Sequence, residues 1–185
     1  PSSLDEFEAA IQENTKLFYI ETLGNPKLDI PNLKELSKLA EKHNCVLVAD
    51  STFTTPVLLD AKKHGIHVVI YATTKYMAGG GTTVGGAIID TGLKNWKDVP
   101  SSQIQSQAAY GKLAFLSAVR KVRANSGVSQ SPFNAYLTSI GIDTLALRMK
   151  AHSENALKVA TFLHEHKKVD YVNYPVRLTK ALIRI

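Results

Sequence analysis

From Lys16 to Tyr71 the chain alternates short apolar runs with amphipathic stretches, and no other feature limits its fold as strongly. Such alternation is the signature of βα units repeated around a mainly parallel sheet. Residues 17–20 predict a buried strand. Over 31–43 the apolar positions Leu33, Leu36, Leu39 and Ala40 fall on one helix face, with Pro31 suited to the first turn and Asn44 to the end. Residues 45–49 predict the next strand, 56–64 a short helix stopped by Gly65, 66–71 a third strand and 84–89 a fourth. Each apolar run is continuous, as in strands covered on both faces. The expected class is α/β, a mainly parallel sheet with helices on both faces.

After Asp90 the pattern becomes helical, with helices expected over 102–123, 132–140 and 144–166. Residues 169–174 read as the opening strand of something further on, and 176–185 are basic and apolar without a clear assignment. There is no internal repeat or low-complexity tract.

With 44% of its 185 residues apolar and 21% charged, the chain can bury a core and reads as one globular domain or most of one. No apolar run approaches the roughly 20 residues of a membrane-spanning helix, and no basic-then-apolar leader opens the chain, so a soluble protein is expected. Cys45, the single cysteine, lies inside an apolar strand and reads as a buried structural thiol. It cannot make an internal disulfide, which favours a reducing compartment, with the cytoplasm as the default. The net charge of +6 is uneven: residues 1–100 carry 10 basic and 12 acidic groups, whereas 148–185 carry 8 and 3. Lysines 150, 158, 167 and 168 follow a helical pattern without interleaved aromatics, which reads as a solvated helix face or subunit contact and not as a nucleic-acid surface. His164 and His166 suit a helix C-terminus. No pair of histidines has metal-ligand spacing, and no metal is expected.

Three positions fall where strands end, and in parallel α/β sheets ligands bind at the carboxyl ends of strands. Asp50 directly follows an apolar strand; it either caps the turn at Ser51 and Thr52 or serves a ligand, because an unpaired buried charge is too costly. Lys75 lies 25 residues later, just past the next strand, so a parallel crossover brings both to one sheet edge. A lysine there is either a surface residue with its stem packed along the sheet or a Schiff-base lysine. Asn25-Pro26 is first a turn signal, yet the Asn25 amide at a third strand end offers a hydrogen bond to an anionic ligand oxygen. Glycines 79–81, 85 and 86 surround Lys75 with backbone open to close approach. The run lacks a P-loop ending and precedes a strand, which argues against nucleotide binding.

The stretch Glu21-Thr-Leu-Gly-Asn25-Pro26, then Val48-Ala-Asp50-Ser-Thr52-Phe-Thr-Thr-Pro56, then Ala72-Thr-Thr74-Lys75-Tyr76 through Gly85-Gly86, resembles the trans-sulfuration, or Cys/Met metabolism, family of fold-type I pyridoxal-phosphate enzymes. Ser131-Pro-Phe-Asn-Ala, Thr144-Leu-Ala-Leu-Arg-Met149, Asn155-Ala156 and Val172-Asn-Tyr-Pro175 fit in the same order. The resemblance implies a fragment of a longer protein, with 1–143 part of the cofactor-binding major domain and 144–185 a long connecting helix and the start of a C-terminal domain. It implies that Lys75 carries pyridoxal 5′-phosphate covalently and is catalytic. Asp50 would pair with the pyridinium nitrogen, Asn25 with the ring hydroxyl oxygen and Thr74 with the phosphate, with Thr52 also among the cofactor-binding residues. Two positions depart from the pattern: Ala72 stands where relatives commonly have Ser, leaving one phosphate donor missing or replaced by Thr73, and Ser51 stands where they usually have Asn.

Within the family, 24–29 and the glycine-rich 79–86 followed by Asn95-Trp96 resemble the O-acetylhomoserine sulfhydrylase branch. That implies a PLP-dependent transferase acting on an amino-acid substrate and a sulfur donor, in a homo-oligomer built as a dimer of dimers. A methionine or cystathionine γ-lyase or synthase of the same family, and a non-catalytic scaffold chain, stay open as alternatives.

Overall fold

The computed structural model describes residues 3–175. A short helix α1 (Leu4–Ala9) precedes two βα steps and a third strand: β1 (Leu17–Glu21), α2 (Leu33–Lys42), β2 (Val46–Asp50), α3 (Thr55–Leu58) and β3 (Val68–Ala72). A fourth strand, β4 (Gly86–Asp90), follows, and then α4 (Ser102–Gln105), α5 (Ala114–Ser126), α6 (Pro132–Asp143) and α7 (Leu145–Glu165). The sheet order is β1-β2-β3-β4, with the first two pairings parallel and β3–β4 antiparallel. The expected mainly parallel α/β class is therefore correct. Among the described residues no helix is long and apolar enough to cross a membrane.

Helices cover both faces of the central strands. On one face Phe18, Ile20, Leu47, Ala49, Val69 and Tyr71 pack under α2 and under Leu145 and Met149 from the start of α7. On the other, Val46, Val48 and Val68 pack under Trp96, Val99 and Ala114. Trp96 stacks on Phe115 at 4.4 Å, and its Nε1 donates to Asp90 at 2.7 Å. Helix α2 forms for the reasons its pattern gave: its apolar stripe is buried, and the Asn32 side chain accepts the Glu35 N–H. Cys45 is buried, and burial pushes its thiol pKa up.

Several expected elements are corrected. β1 alternates: Leu17 and Tyr19 are about half exposed, because the Trp96 layer reaches β2 and β3 but no β1 residue. The fourth strand starts at Gly86, and its residues are half-buried or exposed, because an apolar run reports hydrophobicity and not whether a strand lies centrally or at an edge. The helix expected over 56–64 ends at Leu58 and continues as turns to Gly65, whose φ of +74 is the left-handed conformation a stop requires. The 102–123 helix is broken into α4, a 3₁₀ segment at Ala108–Leu113 and α5, the break falling at Gly111 with φ 55 and ψ −120. Residues 169–174 form no strand, since no described strand runs beside them to accept their hydrogen bonds. The unassigned 176–185 lie outside the described residues.

His67, at the entry to β3, makes a reciprocal pair with Leu47: its backbone N–H donates to Leu47 O at 3.0 Å, and its Nδ1 accepts the Leu47 N–H at 2.9 Å. The accepting nitrogen cannot carry a proton, so the imidazole is neutral. Burial, and then the Lys94 charge, hold its pKa below the ordinary value. In the unfolded chain His67 takes up a proton near pH ~6.5 that the folded form refuses. Its contribution to stability is therefore complete above that pH and is lost as pH falls toward the depressed folded value. His67→Leu should cost about 1–3 kcal/mol by orphaning the Leu47 N–H and should flatten that acid slope. Urea midpoints of the full-length protein and variant across pH 7 to 5 check both.

Candidate active site

A cleft of about 660 Å³ opens at the carboxyl ends of β1, β2 and β3. Parallel pairing sets its floor, since Glu21 at the end of β1 lies in register with Asp50 at the end of β2. Past β1 the chain turns tightly, with Leu28 N–H bonded to Gly24 O, and Asn25 on this turn faces the cleft while its N–H donates to the Glu21 carboxylate at 3.0 Å. Lys75 follows β3 by three residues and also lines the cleft. The three strand-end positions singled out in the sequence thus meet in one cavity.

Asp50 is half-buried, and its Oδ1 accepts the Thr52 N–H at 2.9 Å, as the turn-cap reading of its sequence position expects. Thr52 then bridges the strands: its Oγ1 accepts the Ala72 N–H at 2.8 Å, tying the end of β2 to the end of β3. The carboxylates of Asp50 and Glu21 act on the nearby hydroxyl of Tyr19. Its pKa is raised, first by partial burial and then by the charges of Asp50 and Glu21. No hydrogen bond or ion pair among the described residues engages the Lys75 amine.

The two threonines before Lys75 diverge. Thr74 lines the cleft, but its hydroxyl donates to Gly85 O at 3.2 Å and accepts Gly85 N–H at 3.0 Å. Thr73 is buried on the opposite side of the turn, in a second cavity beside Gln130, and its Oγ1 has no partner among the described atoms. Thr73 therefore does not supply the hydroxyl that Ala72 lacks in the cleft. Both threonines lie past the end of β3, in the turn that carries Lys75, and that turn sends the two side chains to different cavities.

Among the residues that line the cleft without having been given a role from the sequence are Glu21, Tyr76, Arg148 and His152. Tyr76 packs between Phe53 (ring centroids 6.2 Å) and His152 (5.3 Å). The first two stand inside the strand-end motifs and were legible as neighbours of Asn25 and Lys75. Arg148 and His152 come from α7, more than 70 residues along the chain, and no local spacing places them here.

An α/β fold that gathers an amine, a carboxylate and an amide at neighbouring strand ends has its ligand site where doubly wound sheets hold theirs. Residues 1–181 match the family model described as Cys/Met metabolism PLP-dependent enzyme, and the chain belongs to that family. The family expected from the ordered motifs is the family found. The O-acetyl-L-homoserine sulfhydrylase of Leptospira meyeri is 39% identical, over 94% of this chain and 44% of its own length. The cystathionine gamma-synthase of Haemophilus influenzae is 38% identical, over 94% and 42%. A solved structure from Campylobacter jejuni, described as containing an N′-pyridoxyl-lysine-5′-monophosphate, superposes with a TM-score of 0.80 at 34% identity, covering 97% of this chain and 46% of that one. The chain thus spans less than half the length of these relatives.

Proposed function

We propose that the whole protein containing this chain is a PLP-dependent γ-replacement enzyme. In this reading it exchanges the acetate of O-acetylhomoserine for a thiol, with sulfide giving homocysteine. The observation that carries the reading is the meeting of Lys75, Asp50 and Asn25 in one cleft. The donor set fits the cofactor: an unpaired amine for its aldehyde carbon, a carboxylate for its ring nitrogen, and an amide for its ring hydroxyl oxygen. Thr52 holds the Asp50 turn against β3, and Thr74 reaches the phosphate by exchanging one of its Gly85 bonds. Residues 1–143 belong to the cofactor domain, and 144–185 lead through α7 to a C-terminal domain; the assembly is a homo-oligomer working in the cytoplasm.

Bound there, pyridoxal phosphate supplies an electron sink for the charge released at the substrate α-carbon. The chain's own residues do the rest. Lys75 holds the cofactor in place until substrate arrives, then takes a proton from Cα and moves protons at Cβ as acetate departs from Cγ. Asp50 would hold the ring nitrogen protonated by supplying a fixed negative charge. Asn25, on a turn tied to Glu21 through its backbone N–H, would offer its amide to the ring hydroxyl oxygen.

Likeness to sulfhydrylase relatives supports sulfide as the nucleophile, whereas the cystathionine gamma-synthase relative supports cysteine in the same step. Product analysis separates them. With O-acetylhomoserine and sulfide the full-length protein should release homocysteine and acetate in equal amounts. Ammonia and a keto acid as the main products, with sulfide present, would make it a lyase instead.

A further inference from the structure

We propose that Arg148 is a positioning residue for Lys75, holding the turn that presents the lysine from the side of α7; this rests on the cofactor role proposed for Lys75. The turn has internal bonds of its own: Lys75 N–H to Ala72 O at 3.2 Å, Ala78 N–H to Thr73 O and Gly79 N–H to Lys75 O, both at 2.9 Å. These leave the carbonyls of Tyr76 and Met77 directed away from the turn. Arg148 takes them. Its Nη1 donates to Tyr76 O at 2.7 Å and its Nη2 to Met77 O at 3.4 Å, across 72 and 71 residues of sequence. The same Nη2 donates to Gly141 O at 2.6 Å, and Nε donates to Thr144 Oγ1 at 3.0 Å. One guanidinium therefore joins the lysine turn to the α6–α7 corner.

The backbone is shaped to let this happen. A Cβ on Gly79, whose φ is +75, would lie 2.6 Å from Arg148 Cζ, and one on Gly141 would lie 2.3 Å from both Met77 O and Ala78 O. Glycine is unfavourable inside a helix such as α6, and here it is what allows the helix to seat directly on the turn. One turn further along α7, His152 packs on the Tyr76 ring. Arginine suits the task because its planar fork reaches several carbonyls at fixed angles, where a lysine ammonium is a single point. None of the ion pairs among the described residues includes Arg148, so its charge is spent on these carbonyl oxygens. With four of its five donors so committed, Arg148 acts through the turn.

The test uses the full-length protein with Arg148→Lys, which keeps charge and most of the stem, and with Gly141→Ala, which leaves Arg148 intact but drives the corner off the turn. Two readouts are independent of turnover. The first is amide hydrogen exchange at Ala78 and Gly79 in the cofactor-free protein; the second is the rate at which added pyridoxal phosphate develops its lysine-linked visible absorbance. Both variants should exchange faster and capture cofactor more slowly, each by about tenfold, with far-UV circular dichroism unchanged. Unaltered exchange, unaltered capture, or a rise in substrate KM alone would overturn the proposal. A Lys75→Ala control that still captures cofactor like the wild type would show that the cofactor reading itself had failed, a different result from an ineffective Arg148→Lys.

Discussion

Lys75→Ala in the full-length protein should remove the visible absorbance of lysine-linked pyridoxal phosphate and reduce turnover by at least roughly a hundredfold to ten-thousandfold, the range supplied by a positioned general base. The structure makes the loss specific. Lys75 lines the cleft with no hydrogen bond or ion pair to its amine among the described residues, so its removal breaks no packing network. Stability should change by no more than about 0.5 kcal/mol, as for an exposed side chain away from a cap or core. A surface lysine with its stem along the sheet would give the same small stability change but would leave absorbance and turnover intact. Absorbance spectra and single-turnover rates on the same preparation separate the two.

Asp50→Asn should act differently, and the hydrogen bonds say why. Asparagine retains an Oδ1 to accept the Thr52 N–H, so the turn and its tie through Thr52 to Ala72 survive. Only the charge is lost. The cofactor should still bind and attach to Lys75, whereas the ring nitrogen loses the carboxylate that keeps it protonated, and turnover should fall by about a hundredfold or more. If Asp50 served only as a turn cap, Asn would be a nearly neutral replacement and turnover would hold. The comparison to make is the ratio of the fall in kcat to the rise in cofactor Kd, expected to be large.

The parts of the fold that were legible were those set by local pattern. The α2 stripe at Leu33, Leu36, Leu39 and Ala40 and the strand expected over 45–49, found at Val46–Asp50, needed only periodicity and length, and Asp50 and Lys75 met because parallel pairing carries strand ends to one edge. What was not legible depended on neighbours distant in sequence. Leu17 and Tyr19 are exposed because the Trp96 layer stops short of β1, a fact about packing extent that no feature of β1 encodes. Thr73 and Thr74 differ by one position and line different cavities, which required the path of the turn after β3. Arg148 received no role from the sequence because its partners at the lysine turn are backbone carbonyls more than 70 residues away, and carbonyls leave no mark in sequence. The break at Gly111 was open to notice, since glycine in a long helical pattern warns of an interruption.

The central claim is that Lys75, and no other amine, holds the cofactor. Borohydride fixation of the full-length protein with bound pyridoxal phosphate, followed by proteolysis and mass spectrometry, reads it out directly. The account predicts a single phosphopyridoxyl group on the peptide that carries Lys75, and none on that peptide in Lys75→Ala. Label on a different lysine, or its persistence at wild-type level in the variant, would contradict it.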